Sequence, residues 1–411
     1  MRKVLYCGKL LDAQKQKVLP NMVVVVEQKH ITHVLPQVEF HKEPEDEIID
    51  LNDAFVLPGL IDMHVHIHCD GDAGNADYFL IDSAATHTLK ALQYVQQDLL
   101  GGFTTLRNEY SPFWLDVAIR DHINAGNAWG PRLFVCGPGI TATGGHADLN
   151  LPPHVRCVEG GGEVVNCPAD ARRAARNMIK YGVNHLKMSA TGGITSIGDD
   201  PGSQELTYEE MRAYCEIAEF VGIPVSAHTH GSKGIQAALR AGATFIEHAT
   251  MADEETLQMM ADAGVYYCPT LLPYRLIGEL PLPPETKAKY DRCGGAEHHR
   301  AVVARAKELG IKMIFGTDRG CPDIYPGTQG REFCDLVQAG LTPMEAIMTA
   351  TVTAAQALRK SEELGSVDAG KFADIVACKG DPTEDINNIL EISFVMKDGI
   401  VYKENGKAKT L

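Results

Sequence analysis

A chain of 411 residues with 45% hydrophobic content can fill one large core beside a smaller one, which excludes disorder on any large scale. A formal charge of -16, spread along the chain rather than gathered in a tail, opposes binding to nucleic-acid phosphates or anionic membranes and favours a small-molecule substrate. The 11 cysteines are scattered without a C-x-x-C pair, the pattern of reduced, buried thiols.

The chain opens on Met1-Arg2-Lys3 and a few apolar residues, without the apolar core and cleavage site of a secretory signal. No apolar run reaches the roughly 20 residues of a spanning helix, so the expected location is cytoplasmic. Short β-rich runs at residues 3–7, 22–26 and 31–35 predict strands of a small sheet. From about Leu57 short apolar runs alternate with longer segments of helical period, the signature of repeated βα units around a parallel sheet. Eight strand candidates end near His66, Arg107, Cys136, Lys187, His228, His248, Pro269 and Asp318. Helices are predicted over 83–100, 170–181, 207–221, 232–241, 253–263 and 285–309, and Gly182, Gly222, Gly242, Gly264 and Gly310 read as left-handed caps. After a helix-rich stretch at 331–360, strand character returns at 374–378, 392–396 and 400–402, with Lys397-Asp398-Gly399 as a hairpin turn. Neither terminal piece has enough strands to bury a sheet face alone. The expected architecture is therefore α/β: a (β/α)8 TIM barrel over residues 57–362, with segments 1–56 and 363–411 meeting in one small composite β-sandwich domain.

Side chains alternate along a strand, so His64 and His66 share one face, at the C-terminal rim where barrel active sites are built. Alone, an H-x-H pair is weak. Lys187 ends another apolar strand, where a free ammonium is expensive to bury; it either snorkels to the rim, pairs with a carboxylate or is neutralised. His228 and His248 end successive strands, and Asp318 closes the last one. Each has an innocent reading, as a satisfied polar group or a helix cap. Four histidines, a lysine and an aspartate at five strand ends converge on one mouth, and together they predict a metal site. The glycine-rich segment 189–205 reads as a mobile loop over that mouth, and it lacks the lysine and Ser/Thr of a phosphate loop.

This pattern resembles the amidohydrolase superfamily, in the binuclear branch that includes prolidase-like dipeptidases and imidazolonepropionase-related proteins. The likeness covers essentially the whole chain, including Gly365-Ser366-Val367 to Asp374-Ile375-Val376. The resemblance implies two divalent cations, zinc at first choice: His64, His66 and Asp318 on one, His228 and His248 on the other. Lys187, carboxylated by carbon dioxide, would bridge both as a carbamate. It further implies a hydroxide held between the metals as nucleophile, with Asp318 as proton shuttle to the leaving nitrogen. His146 and His230 resemble positions that hydrogen-bond the substrate carbonyl, although His146 also reads as an ordinary polar loop residue. Two departures are visible. Relatives commonly carry Arg-Asp where this chain has Arg107-Asn108, and a small residue where it has Arg319. Arg319 either grips a substrate carboxylate or forms a structural ion pair with Asp323 or Glu332.

The resulting expectation is hydrolysis of an amide or peptide bond in a small substrate, a dipeptide or N-acyl amino acid. A lactonase or phosphotriesterase would use the same centre. A mononuclear cyclic-amide hydrolase or deaminase lacks the bridging lysine, and a dead scaffold would have lost ligands. No nucleic-acid or membrane partner is expected, and assembly into a homo-oligomer stays open.

Overall fold

In a computed structural model, residues 2–72, 81–149, 151, 154 and 161–409 are described. The chain begins with β1 (Arg2–Asp12), β2 (Lys17–Glu27) and β3 (His30–Pro36), an antiparallel meander in which Val4 pairs with Val25 and Val24 with Val34. The run Val23-Val24-Val25-Val26 is buried on both faces. Val24 and Val26 join Leu5 and Cys7 in one core, while Val23 and Val25 pack with Val4 in another. A fourth strand, β4 (Glu47–Pro58), runs parallel to β1; the charged Glu47, Asp50 and Asp53 interrupt its apolar pattern and hide it in the sequence.

Before the chain returns to this sheet it builds the barrel. Gly59 lies at the passage from β4 to β5 (Leu60–Val65), where a Cβ would fall 2.2 Å from Thr104 Oγ1. The barrel staves continue as β6 (Phe103–Asn108) and β7 (Arg132–Phe134). Two short strands, β8 (Ile140–Thr141) and β9 (Glu163–Val164), extend beside β10 (Leu186–Ser189). The remaining staves are β11 (Val225–Gly231), β12 (Phe245–Met251), β13 (Tyr266–Cys268) and β14 (Lys312–Met313). The two parallel sheets that these form are joined at both seams. Asn184 N donates to Val135 O (2.8 Å) between β7 and β10. On the other side Met63 N donates to Phe315 O and Asp318 N to His64 O, both 2.8 Å, so residues 314–318 prolong β14 alongside β5. Eight staves thus close as expected.

Outside them run helices such as Ala84–Leu100, Pro168–Lys180, Tyr208–Val221, Ser232–Ala241 and Glu254–Ala263. All five glycines expected as caps have left-handed φ, from 65° at Gly264 to 107° at Gly242. Two helices were not legible in advance, Leu115–Asn124 and Leu271–Glu279, and the long helix expected over 285–309 breaks at Gly294-Gly295. No described helix is long and apolar enough to cross a membrane.

The tail supplies β15 (Ile375–Cys378), antiparallel to β4, then β16 (Ile392–Lys397), β17 (Ile400–Glu404) and β18 (Lys407–Ala408). Asp398 and Gly399, with φ of 48° and 72°, make the two-residue turn that suits the strand twist. Both termini therefore share one eight-stranded sheet. The sheet curls until the start of β3 meets the segment before β15: Ile31 N donates to Lys371 O (2.9 Å) and Ala373 N to Lys29 O (2.8 Å).

Candidate metal centre

Alternation along β5 delivers His64 and the following His66 to one side, with ring centroids 5.4 Å apart, while Val65 joins the apolar layer beneath the helices. Asp318, at the end of the eighth stave, brings Oδ1 to 3.0 Å from His66 Nε2 and 3.5 Å from His64 Nε2. His228 and His248 arrive from β11 and β12 with centroids 4.7 Å apart, and His64 lies 4.9 Å from His248. Ligand atoms of His64, His248 and Asp318 fall within 4.8 Å of one another. These five residues and Lys187 of β10 line a single cavity of about 370 Å³. His248 and Asp318 hold left-handed φ of 65° and 53°, backbone strain of the kind concentrated at functional sites.

Neighbouring groups decide which ring nitrogen each histidine offers. His64 Nδ1 is 2.7 Å from Glu247 Oε2 and His248 Nδ1 is 2.7 Å from Thr270 Oγ1, leaving Nε2 as the available donor on both. His228 is reversed, with Nε2 3.3 Å from Gly192 O. Burial pulls the His66, His228 and His248 pKa values below the usual imidazole range, so these rings are neutral lone-pair donors. Burial by itself would raise the Asp318 carboxyl, but attraction to His64, His66 and His248 as these rings take up protons in acid outweighs it and holds the carboxyl well below its usual range. Asp318 Oδ1, His66 Nδ1 and Lys187 Nζ are all buried without a hydrogen-bond partner among the described residues. Converging acceptors that leave a carboxylate oxygen unpaired suit cations placed between them, so this donor set fits divalent metal.

Two further histidines face the same cavity. The His146 ring stacks on His228 at 3.8 Å and 10°, and its Nδ1 is 3.0 Å from Ser196 Oγ. This close approach needs Gly193, where a Cβ would stand 2.2 Å from His146 Nδ1. His230 Nδ1 lies 3.0 Å from Thr250 Oγ1 and 3.2 Å from Tyr274 OH, which directs Nε2 to the cavity; burial pushes its pKa down to about 3. The loop read as mobile is latched: Lys289 Nζ donates to Asp199 Oδ1 (2.7 Å) and Ser196 O (2.8 Å), and Asp199 Oδ2 accepts from Ser196 Oγ (2.6 Å) and Gly193 N (2.7 Å).

Arg319 does not reach the cavity. The guanidinium is fully buried, pairs with Asp98 at 2.6 Å and donates to His66 O (3.1 Å) and Cys69 O (2.8 Å). The geometry is that of a structural ion pair, with Asp98 in place of Asp323 or Glu332; Glu332 instead accepts from Leu271 N and Leu272 N. Asn108 is structural too, accepting from Ile67 N and donating to Asp116.

A charged layer that the sequence did not disclose lies directly beneath the centre. Arg107, 1% exposed, lies 2.6 Å from Glu247 and 3.0 Å from Glu109, with its guanidinium 4.3 Å from the Phe245 ring centroid. Glu109 in turn lies 2.9 Å from Lys187 Nζ. The available signal was alternation, which puts Arg107 and Glu109 on the same inward face as soon as Arg107 is recognised as inside.

The Amidohydrolase family profile matches residues 55–401. The chain is 30% identical to the ochratoxinase of Aspergillus niger, over 98% of this chain and 87% of that protein. Among solved structures it is similar to a Xaa-Pro dipeptidase with bound methionine in the active site, at 32% identity and a TM-score of 0.91, covering 98% of this chain and 100% of that one. It is also similar to a prolidase complexed with N-methylphosphonate-L-proline, at 28% identity and a TM-score of 0.89, with the same coverages.

Proposed function

The chain belongs to the amidohydrolase family and is a hydrolase acting on carbon–nitrogen bonds, and from that premise we propose that its substrate is a dipeptide or N-acyl amino acid cleaved in the cavity lined by Asp318. The observation that carries this reading is the convergence of His64, His66, Lys187, His228, His248 and Asp318 on one cavity, with a buried carboxylate oxygen left unpaired among imidazoles. His64, His66 and Asp318 would hold one divalent cation and His228 and His248 the other, with Lys187 as a carbamate between them. Two such cations, zinc at first choice, supply Lewis acidity toward the scissile carbonyl and a shared water of near-neutral pKa.

The protein's own groups do the rest. Asp318 Oδ1 would take a proton from the attacking water and pass it to the leaving nitrogen. His230, its Nδ1 occupied by Thr250 and Tyr274, presents Nε2–H to the substrate carbonyl, and His146 is a second donor; one such donor is worth about 3 kcal/mol in the transition state. Ile140, Leu149, Ile194, Pro273 and Ile277 add apolar lining to the cavity, which suits a substrate with an apolar side chain. The ten described cysteines are free, in keeping with a reducing, cytoplasmic setting; Cys157 lies outside the described residues.

Metal-loaded protein assayed on dipeptides and N-acyl amino acids, with lactones and organophosphates in parallel, tests the substrate class. Turnover of apolar dipeptides or N-acyl amino acids is expected. Activity confined to lactones or organophosphates would discard the proposed substrate and leave the fold untouched.

A further inference from the structure

The geometry points to Glu109 as the positioning residue for Lys187: we propose that its Oε2 is the fixed acceptor for the single N–H that remains when Nζ carries a carboxylate. This rests on the reading of Lys187 as a bridging carbamate. Glu109 follows β6 directly and is fully buried. Its Oε1 lies 3.0 Å from Arg107 Nε and 3.1 Å from His185 Nε2, and its Oε2 lies 2.5 Å from Ser226 Oγ. The backbone is tied as well, since Glu109 N donates to Val65 O at 3.0 Å. Held on these sides, the carboxylate keeps its place whatever Lys187 does.

Lys187 Nζ sits 2.9 Å from that Oε2, yet off the line of a hydrogen bond, and has no aligned partner among the described residues. An ammonium with three N–H groups is poorly served there. Carboxylation joins Nζ to the carbon of carbon dioxide and releases two protons to solvent, R–NH3+ + CO2 → R–NH–COO− + 2H+. The product nitrogen is planar with one N–H and needs one acceptor; Nζ turns until that N–H meets Oε2, which lies 2.9 Å away. Aligning that N–H sets the rotation of the carbamate plane.

Glu109→Gln converts this acceptor to a donor. The amide oxygen must face the Arg107 guanidinium, which only donates, so the NH2 replaces Oε2 and opposes the carbamate N–H. The full chain, loaded with zinc and titrated with 13C-bicarbonate, reports the carbamate carbon by NMR, while circular dichroism follows the fold. In Glu109→Gln the bicarbonate concentration for half-maximal carbamate is expected to rise about tenfold, the scale of one lost hydrogen bond to a charged group. Glu109→Asp, which keeps the charge beside Arg107 but withdraws the acceptor by one methylene, decides the question if the glutamine variant does not fold. Ser226→Ala loosens the same network without removing the acceptor and is expected to titrate like wild type. Wild-type carbamate that persists unchanged in the Glu109 variant overturns the inference alone, as does an equal loss in Ser226→Ala. Absence of carbamate from zinc-loaded wild type removes the bridging reading itself, and the inference with it.

Discussion

Asp318 and Lys187 touch the same cavity, but their chemistry assigns them different losses. Lys187→Met is expected to lower bound metal, measured by elemental analysis, and to reduce kcat/KM at least about a hundredfold, the upper range for altering even an outer partner of a metal ligand. Asp318→Asn keeps an oxygen at the same place while losing proton transfer, so most metal should stay and kcat should fall about 10²–10⁴-fold. Equal turnover in the asparagine variant would remove the shuttle. Arg319 belongs to stability instead. Arg319→Met leaves Asp98 as an unpaired buried charge, and thermal unfolding should show a loss of about 3–5 kcal/mol with KM unchanged in whatever fraction folds. A raised KM with an unchanged melting temperature would restore it to the substrate. At this scale His64, His66, His228, His248, Lys187 and Asp318 were legible because each lies at the end of an apolar run. Glu109 and Glu247 were not: a lone acidic residue looks solvated until the strand that carries it is known to face the barrel interior.

Loop 189–205 shows how an element is held by groups distant in sequence. Besides the Lys289–Asp199 latch, Glu205 Oε1 accepts from His146 N at 2.6 Å and so ties the end of the loop to the segment bearing His146. Burial pushes the Glu205 carboxyl up to about 8, against a reference value of 4.5. The native state then binds more protons than the unfolded chain between these pH values. Its contribution to stability is complete below pH 4.5 and is lost as pH rises through about 8. Glu205→Gln should therefore flatten the fall in melting temperature between roughly pH 5 and pH 8. An unchanged slope in that variant would assign the fall to other groups. The loop's glycines were readable, but the latch was not, because Lys289 lies about 90 residues from Asp199 and nothing local pairs them.

Across the whole molecule, metal and fold are linked through mass action. A cation that binds the closed barrel and not the unfolded chain stabilises it by about 4 kcal/mol at a free concentration a thousandfold above Kd. Chelator-treated protein should accordingly melt several degrees lower and recover on addition of zinc; identical melting curves would mean that the donor set holds no metal. The staves, their order and the glycine caps could be read from the residues alone, because apolar period and φ preference are local properties. So could the return of the tail to strand, since the Asp398-Gly399 turn and its flanking runs are contiguous. That β4 joins the terminal sheet, that Arg319 turns to Asp98, and that Arg107, Glu109 and Glu247 form a paired layer beneath the centre emerge only in the folded chain. Burial and partner choice are set by elements far apart in the chain, and a charged residue discloses neither until the ring of strands has closed around it.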